Sequence, residues 1–278
     1  MSDKDNDGYV LGHTPRELDR LDEQGAFYRD VTRRVLVEAG VGPGMRVLDL
    51  GSGSGDVSFL ASELVGGGGT VVGIERDAGT AEAARRRAAA READNVSFRV
   101  QELGVVADEA PFDAIVGRFI LMHQENPSAE LAGVLENVRT GGPVAIIESS
   151  MASLLGSTHS HPHSPLYDRI VRWKCAVVGG AGADLAAGLK LRSIFMDAGL
   201  PEPVTRLHAR VEGGPDSALY PYMAESVRSM LPQARRLGVE GFDEAGVDVL
   251  ADRLREEVVA LGGVVVAWPV VTAWSRAP

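Results

Sequence analysis

The chain has one cysteine, far fewer basic than acidic residues, and no apolar run long enough to span a bilayer. A single cysteine, Cys175, in 278 residues excludes an internal disulfide framework and a multi-cysteine metal site. Lys and Arg number 28 against 39 Asp and Glu, a formal charge of −11. Such a domain repels phosphate backbones, which argues against nucleic acid as substrate. A bilayer span needs about 20 consecutive apolar residues, and none is present. The first eight residues are acidic and polar, without the basic-then-apolar order of a signal peptide. A cytoplasmic protein without a membrane span is the expectation. Its length and its 45% apolar content suit one sizeable core, or one core with an added cap.

What is present is a strand–helix rhythm. Thr14, Pro15 and Glu17 mark a helix start, and that helix is expected to run to Ala39, with a break near Gly25. Val47-Leu48-Asp49-Leu50 reads as a buried strand, followed by Val57, Leu60, Ala61 and Leu64 at helical spacing. Val71-Val72-Gly73-Ile74 is a second strand, and Asp77 caps a helix expected to reach about Ala93, its arginines largely on the wet side. Further strands are expected at 96–100, 114–116 and 144–147, with a helix opening at Asn126-Pro127. Short links between alternating strands and helices imply parallel βαβ units with helices on both faces of a sheet. After Ser150 the rhythm breaks. Residues 151–165 read as a loop. Helices are expected at 167–178, 184–198, 216–237 and 247–261, and a strand at 204–211. A last strand begins at Val264 and meets Pro269, which places it near an edge. The expected division is a helical lid over 1–40, a core over 41–150, and helical cap insertions plus the last strands over 151–278.

Between the first strand and its helix lies Asp49-Leu50-Gly51-Ser52-Gly53-Ser54-Gly55-Asp56. Glycines there let backbone approach a ligand closely, and the following helix offers free N–H groups. Asp49 ends the strand, where its carboxylate can attract a cation. Glu75 ends the next strand, where an acid can take both hydroxyls of a ribose. A pyrophosphate fits badly. The G-x-G-x-x-G pattern lacks its third glycine in either register, with Asp56 or Ser58 in its place, and no Gly-Lys-Ser/Thr follows. The ligand implied carries a ribose and a positive charge.

These residues resemble motif I of the class I S-adenosylmethionine (SAM)-dependent methyltransferases. The likeness continues through Gly73-Ile74-Glu75, Phe112-Asp113-Ala114-Ile115-Val116 and Gly141-Gly142-Pro143-Val144. With Tyr9-Val10-Leu11-Gly12 and Gly262-Gly263-Val264-Val265-Val266 at the flanks, the chain is similar to bacterial small-molecule methyltransferases related to the ubiquinone/menaquinone C-methyltransferase group. The resemblance implies an α/β, Rossmann-like, seven-stranded and mostly parallel sheet with helices on both faces and a helical cap. It implies SAM as cofactor, with Asp49, Gly51 and Gly53 around its methionyl part, Glu75 on the ribose and Arg76 beside the adenine. Gln101 and Glu102 would read the adenine amino group, Arg118 and Phe119 would face the methionine end, and Tyr9 would close over the cofactor.

Methyl transfer from a sulfonium is an in-line displacement, so alignment matters more than acid–base chemistry. Where the acceptor must lose a proton, His123 is the candidate base, with a backbone-bonding histidine as its bland counterpart. Glu148, at the end of the fifth strand, is the second catalytic candidate, or a structural carboxylate. Tyr167, Trp173 and Tyr222 are candidate acceptor-binding residues, or ordinary core. His159, His161 and His163 read as part of a polar loop rather than a metal site. Cys175 reads as packing. The expected activity is methylation of a small molecule, in secondary metabolism, without nucleic acid as partner. The Pro-Pro-Tyr/Phe signature of DNA amino-methylating enzymes is missing after Asn126, and no Pro precedes Cys175. A SAM-binding protein of this fold catalysing a pericyclic or elimination step, or a non-catalytic regulator, would carry the same loop.

Overall fold

A computed structural model describes residues 15–103, 106 and 111–278. Tyr9 and Thr14 lie outside the described residues. The chain divides into two compact units, one built from residues up to Gln24, Met151–Leu185 and Arg210–Ala267, the other from Gly25–Ser150, Ala186–Ala209 and Trp268–Pro278.

The second unit holds a seven-stranded sheet. Its strands are β1 (Arg46–Leu50), β2 (Thr70–Glu75), β3 (Val96–Val100), β4 (Ala114–Arg118), β5 (Pro143–Ser149), β7 (Val204–His208) and β10 (Val270–Arg276), in the order β3-β2-β1-β4-β5-β10-β7. The first five run parallel, and β10 is antiparallel to both its neighbours. Helices α1 (Pro15–Ala39, which begins in the first unit), α2 (Asp56–Val65), α3 (Ala78–Ala90), α4 (Pro127–Leu135) and α6 (Ala187–Asp197) belong with it. Central strands of a covered parallel sheet are apolar on both faces, and Val47, Leu48, Leu50, Ile115, Val116, Val144 and Ile146 are all sealed from solvent. Leu48, Leu50, Ile115 and Ile146 share one core with Leu191, Ile194 and Phe195 of α6. Each such side chain contributes about 1.5–3 kcal/mol on burial. Asp77 caps α3 by accepting from the Thr80 N–H at 2.6 Å, and Asn126 caps α4 with Pro127 at its first turn.

The first unit contains α5 (Pro165–Gly180), α7 (Leu219–Leu237), α8 (Glu244–Asp248) and α9 (Leu250–Ala260). Its strands β6 (Ser160–His161), β9 (Val264–Val266) and β8 (Val211–Gly213) form a small antiparallel sheet in the order β6-β9-β8.

Several expectations need correction. Helix α1 runs through Gly25 without a break. Helix α3 stops at Ala90 because Glu92 turns left-handed (φ +52°), which lets the Ala93 N–H close back on the Ala88 carbonyl. The strand expected over 204–211 is two strands in two sheets. Pairing of β7 with β10 ends at His208–Val270, just after Pro269, and the chain from Val211 pairs with β9 instead. The apolar tail does not form one edge strand. Pro269 separates β9, central in the small sheet, from β10, interior in the large one. The helix expected over 247–261 is split at Val249 into α8 and α9. The loop at 151–165 contains a short helical turn, Met151–Leu154, and the strand β6.

Candidate functional site

Because β1 to β5 are parallel, their C-terminal ends share one edge of the sheet. Asp49 pairs in register with Gly73 of β2 and Val116 of β4, while Glu75 and Arg118 end their own strands and Glu148 is next to last in β5. Strand order reverses between β1 and β4, and ligands of open α/β sheets bind at that switch point. The glycine loop leaves β1 there.

Three glycines shape this loop, with φ of +58° at Gly51, +53° at Gly53 and +94° at Gly55. A Cβ on Gly51 would lie 2.4 Å from Ile120 Cδ1, so only glycine lets the loop pass under the segment after β4. A Cβ on Gly53 would meet nothing within 4 Å, so backbone faces open space there. The Ser52 N–H donates to the Ile74 carbonyl at 2.9 Å, tying the loop to β2.

Asp49 is fully buried. Its Oδ2 accepts from the Ser58 hydroxyl at 2.5 Å, and its Oδ1 has no hydrogen-bond partner among the described residues. Burial pushes its pKa up to about 7, against the lowering effects of Ser58 and the Arg118 charge. A buried carboxylate oxygen left without a donor suits a cationic ligand. Glu75 accepts from the Gly53 N–H at 3.1 Å through Oε2 and from the Asp77 N–H at 3.0 Å through Oε1. Each oxygen keeps further acceptor capacity for a ribose hydroxyl. Arg76 is exposed, as is Glu102, and Gln101 is half-buried with its N–H on the Glu75 carbonyl at 3.0 Å.

Phe119 follows β4 in a left-handed conformation (φ +59°), unusual for an aromatic residue. Its N–H donates to the Ile147 carbonyl at 2.9 Å, and its ring meets Tyr28 of α1 edge-on at 5.2 Å between centroids. Arg118 is turned inward, only 6% exposed, and donates to the Thr32 hydroxyl at 3.1 Å. A short helical turn, Leu121–His123, comes next. Glu148 holds it: Oε1 accepts from the Ile120 and Leu121 N–H groups at 2.8 and 2.6 Å. Glu148 is sealed from solvent, and burial raises its pKa to about 8. His123 is half-buried. Burial, with a further push from the Arg76 charge, lowers its pKa to about 4, so its imidazole is neutral at pH 7.

Tyr167, Trp173 and Tyr222 are all in the other unit and all buried there. Tyr167 donates to the Val266 carbonyl at 2.7 Å, and Trp173 packs edge-on against Phe242. Tyr222 has the Lys174 ammonium 5.5 Å from its ring centre. His159 is buried, with Nδ1 3.0 Å from the Ser157 carbonyl and Nε2 3.3 Å from Asp168. Among the described residues, no three His, Cys, Asp or Glu side chains converge on a metal-sized site. Cys175 is buried, and that burial raises its pKa to about 11, as expected of an inert packing thiol.

Sequence reasoning missed Ser58, Arg87 and Thr32. Arg87 sits in a run of three arginines that nothing in composition or spacing separates, and only the fold shows which one turns inward. Ser58 sits in the first turn of α2, within reach of Asp49 only once the strand–loop–helix geometry is known.

A mostly parallel sheet with a glycine loop at its switch point, an acid at or next to the end of each of the first two strands and no phosphate-compatible motif is the arrangement of a nucleoside-binding α/β protein of the methyltransferase class. The methyltransferase-domain family matches residues 42–199, more than half of the chain, and this chain belongs to it. It is 27% identical over 245 residues to the ubiquinone/menaquinone biosynthesis C-methyltransferase of Xanthomonas oryzae pv. oryzae, covering 86% of this chain and 81% of that one. It is 45% identical over 84 residues to nocamycin O-methyltransferase of Saccharothrix syringae, covering 30% of this chain and 29% of the relative. Shared stretches span only 28% to 54% of the length of three such curated relatives. The fold matches that of a Haemonchus contortus phosphoethanolamine N-methyltransferase solved with S-adenosylhomocysteine. The TM-score is 0.53 at 17% identity, over 90% of this chain and 52% of that one.

Proposed function

We propose that this protein transfers a methyl group from SAM to the oxygen of an acidic hydroxyl, an enol or a phenol, on a small molecule. The observation that carries the proposal is the place of His123, in the turn after β4 that Glu148 holds, at the sheet edge that also has Asp49 and Glu75. When bound, SAM supplies an electrophilic methyl on a positively charged sulfur. The residues present fit it. Gly53 leaves an open cradle, the free oxygen of Asp49 meets positive charge, and Glu75 takes ribose hydroxyls. Arg76 lies beside the adenine in this reading, Gln101 and Glu102 at its amino group, and Arg118 and Phe119 at the methionine end.

His123 accepts the acceptor's proton. With its pKa lowered by burial, His123 is a weak base, so the acceptor hydroxyl must itself be acidic, and an aliphatic alcohol does not suit it. The Saccharothrix relative, by name an O-methyltransferase, is in keeping with oxygen as the accepting atom; the setting in this reading is natural-product biosynthesis. Glu148 positions the turn that carries His123 and does not itself exchange protons with the acceptor.

The test is transfer of isotope-labelled methyl from SAM to a panel of enols, phenols, alcohols and amines. Label should appear on acidic hydroxyls, with His123→Ala reducing kcat by about 10²–10⁴-fold. Conversion of an acceptor without formation of S-adenosylhomocysteine would assign the site to a non-methylating reaction. Unchanged turnover in His123→Ala removes that residue as base.

A further inference from the structure

Asp56, the first residue of α2, stands where a phosphate-binding loop would present its helix N-terminus. Its carboxylate is taken up by two arginines. Oδ1 lies 2.9 Å from an Arg87 guanidinium nitrogen, and Oδ2 lies 3.8 Å from one of Arg118. These side chains are 16%, 14% and 6% exposed, so solvent screens the group only partly. Arg87 comes from the last turn of α3, and its other terminal nitrogen donates to the Ser54 carbonyl, inside the glycine loop. Arg118 ends β4, and its second terminal nitrogen donates to Thr32 of α1 at 3.1 Å. Thr32 in turn donates to the Tyr28 carbonyl at 2.8 Å.

Helix α1 presses on the same carboxylate. A Cβ added to Gly25 would lie 2.6 Å from both Cγ and Oδ2 of Asp56. Gly25 is therefore not a helix break. It is the point where a continuous helix comes within contact of a partly buried acid, and glycine is the residue that lets it. Four elements (α1, α2, α3 and β4) meet at one carboxylate, and one of its two arginines also grips the loop backbone.

From this geometry we propose that Asp56 and Arg87 are positioning residues for the cofactor loop, and that Gly25 belongs to the same device by docking α1 on the Asp56 carboxylate. Arg87 acts as a fork. One tine holds Asp56 and the other holds the Ser54 carbonyl, so the loop keeps the left-handed turns at Gly53 and Gly55 that open its backbone. Loss of either partner lets the loop relax and lowers its affinity for adenosyl ligands, without removing any group that touches them.

The inference rests on SAM being the cofactor. Its test is calorimetry of S-adenosylhomocysteine with the full-length protein and the variants Asp56→Asn, Arg87→Met, Arg87→Lys and Gly25→Ala, each checked by circular dichroism. The expected result is native spectra and dissociation constants raised tenfold or more in Asp56→Asn and Arg87→Met. Arg87→Lys should fall between them and the parent, because an ammonium cannot hold both partners as the planar fork does. The double variant Asp56→Asn/Arg87→Met should be no weaker than either alone. Gly25→Ala should weaken binding, yet add nothing in an Asp56→Ala background, where the carboxylate it would strike is gone. In turnover, the loss should fall on the KM for SAM more than on kcat. Affinities within twofold of the parent, fully additive effects, or unfolding of both Asp56→Asn and Arg87→Met would overturn the proposal. Absence of binding by the parent protein would instead overturn the cofactor assignment.

Discussion

At the scale of single residues, the site is governed by where acids are buried. Asp49 and Glu148 are both sealed, and both are held above the usual carboxylate range, at about 7 and about 8. A carboxyl whose pKa is raised on folding binds more protons folded than unfolded between the two values, so stability falls as pH rises through that window. For Asp49 the window runs from 3.8 to about 7, and for Glu148 from 4.5 to about 8. Their joint contribution is complete below the lower values and lost above the upper ones. Urea titrations at a series of pH values should show a declining contribution across this range, and Asp49→Asn should make the decline shallower, leaving the part due to Glu148. Cofactor affinity should run the other way. A cationic ligand favours the ionised Asp49, so SAM should bind more tightly as pH rises from about 6 to about 8, with release of a proton. Calorimetry in buffers of different ionisation enthalpy reads that proton directly, and Asp49→Asn should abolish it. Glu75→Ala should weaken SAM binding by about 1–3 kcal/mol through lost charge-assisted hydrogen bonds.

At the scale of elements, the strand–loop–helix around β1 does most of the work. Its three glycines are not equivalent. Gly51→Ala drives a methyl into Ile120 and strains a left-handed backbone, which should destabilise the fold by about 2–5 kcal/mol. Gly53→Ala meets no atom and adds only backbone strain of about 1–2 kcal/mol. Thermal unfolding should rank the two in that order, while SAM affinity should fall in both. The five parallel strands and their capped helices were legible in the sequence because Asp77 and Asn126 are true caps, four of the strands carry apolar runs and β3 alternates through Val96, Phe98 and Val100. The register of Asp49 and Glu75 at one edge followed from that pattern. The tail was less legible. A string such as Val264-Val265-Val266-Ala267-Trp268 cannot say which of two sheets it joins, and a glycine within a helix reads as a break when its reason is an acid on another helix. Arg87 was invisible for the same cause, since its partners Asp56 and Ser54 are more than thirty positions away.

At the scale of the whole molecule, the two units are interleaved in sequence, and the residues proposed for the cofactor site, from Asp49 to Phe119, lie in the unit that holds the large sheet. Ligand binding to the native state alone raises stability by mass action, about 2.7 kcal/mol at a hundred times the dissociation constant. S-adenosylhomocysteine should therefore raise the unfolding midpoint, and hydrogen-exchange protection should grow around Asp49–Ser58, Glu75–Asp77 and Arg118–His123. The measurement that tests the account most directly is calorimetry of SAM and S-adenosylhomocysteine with the intact protein. The account predicts saturable binding of both at one site per chain, lost or weakened in Glu75→Ala. No heat from either ligand, or binding of a nicotinamide dinucleotide in their place, would contradict it.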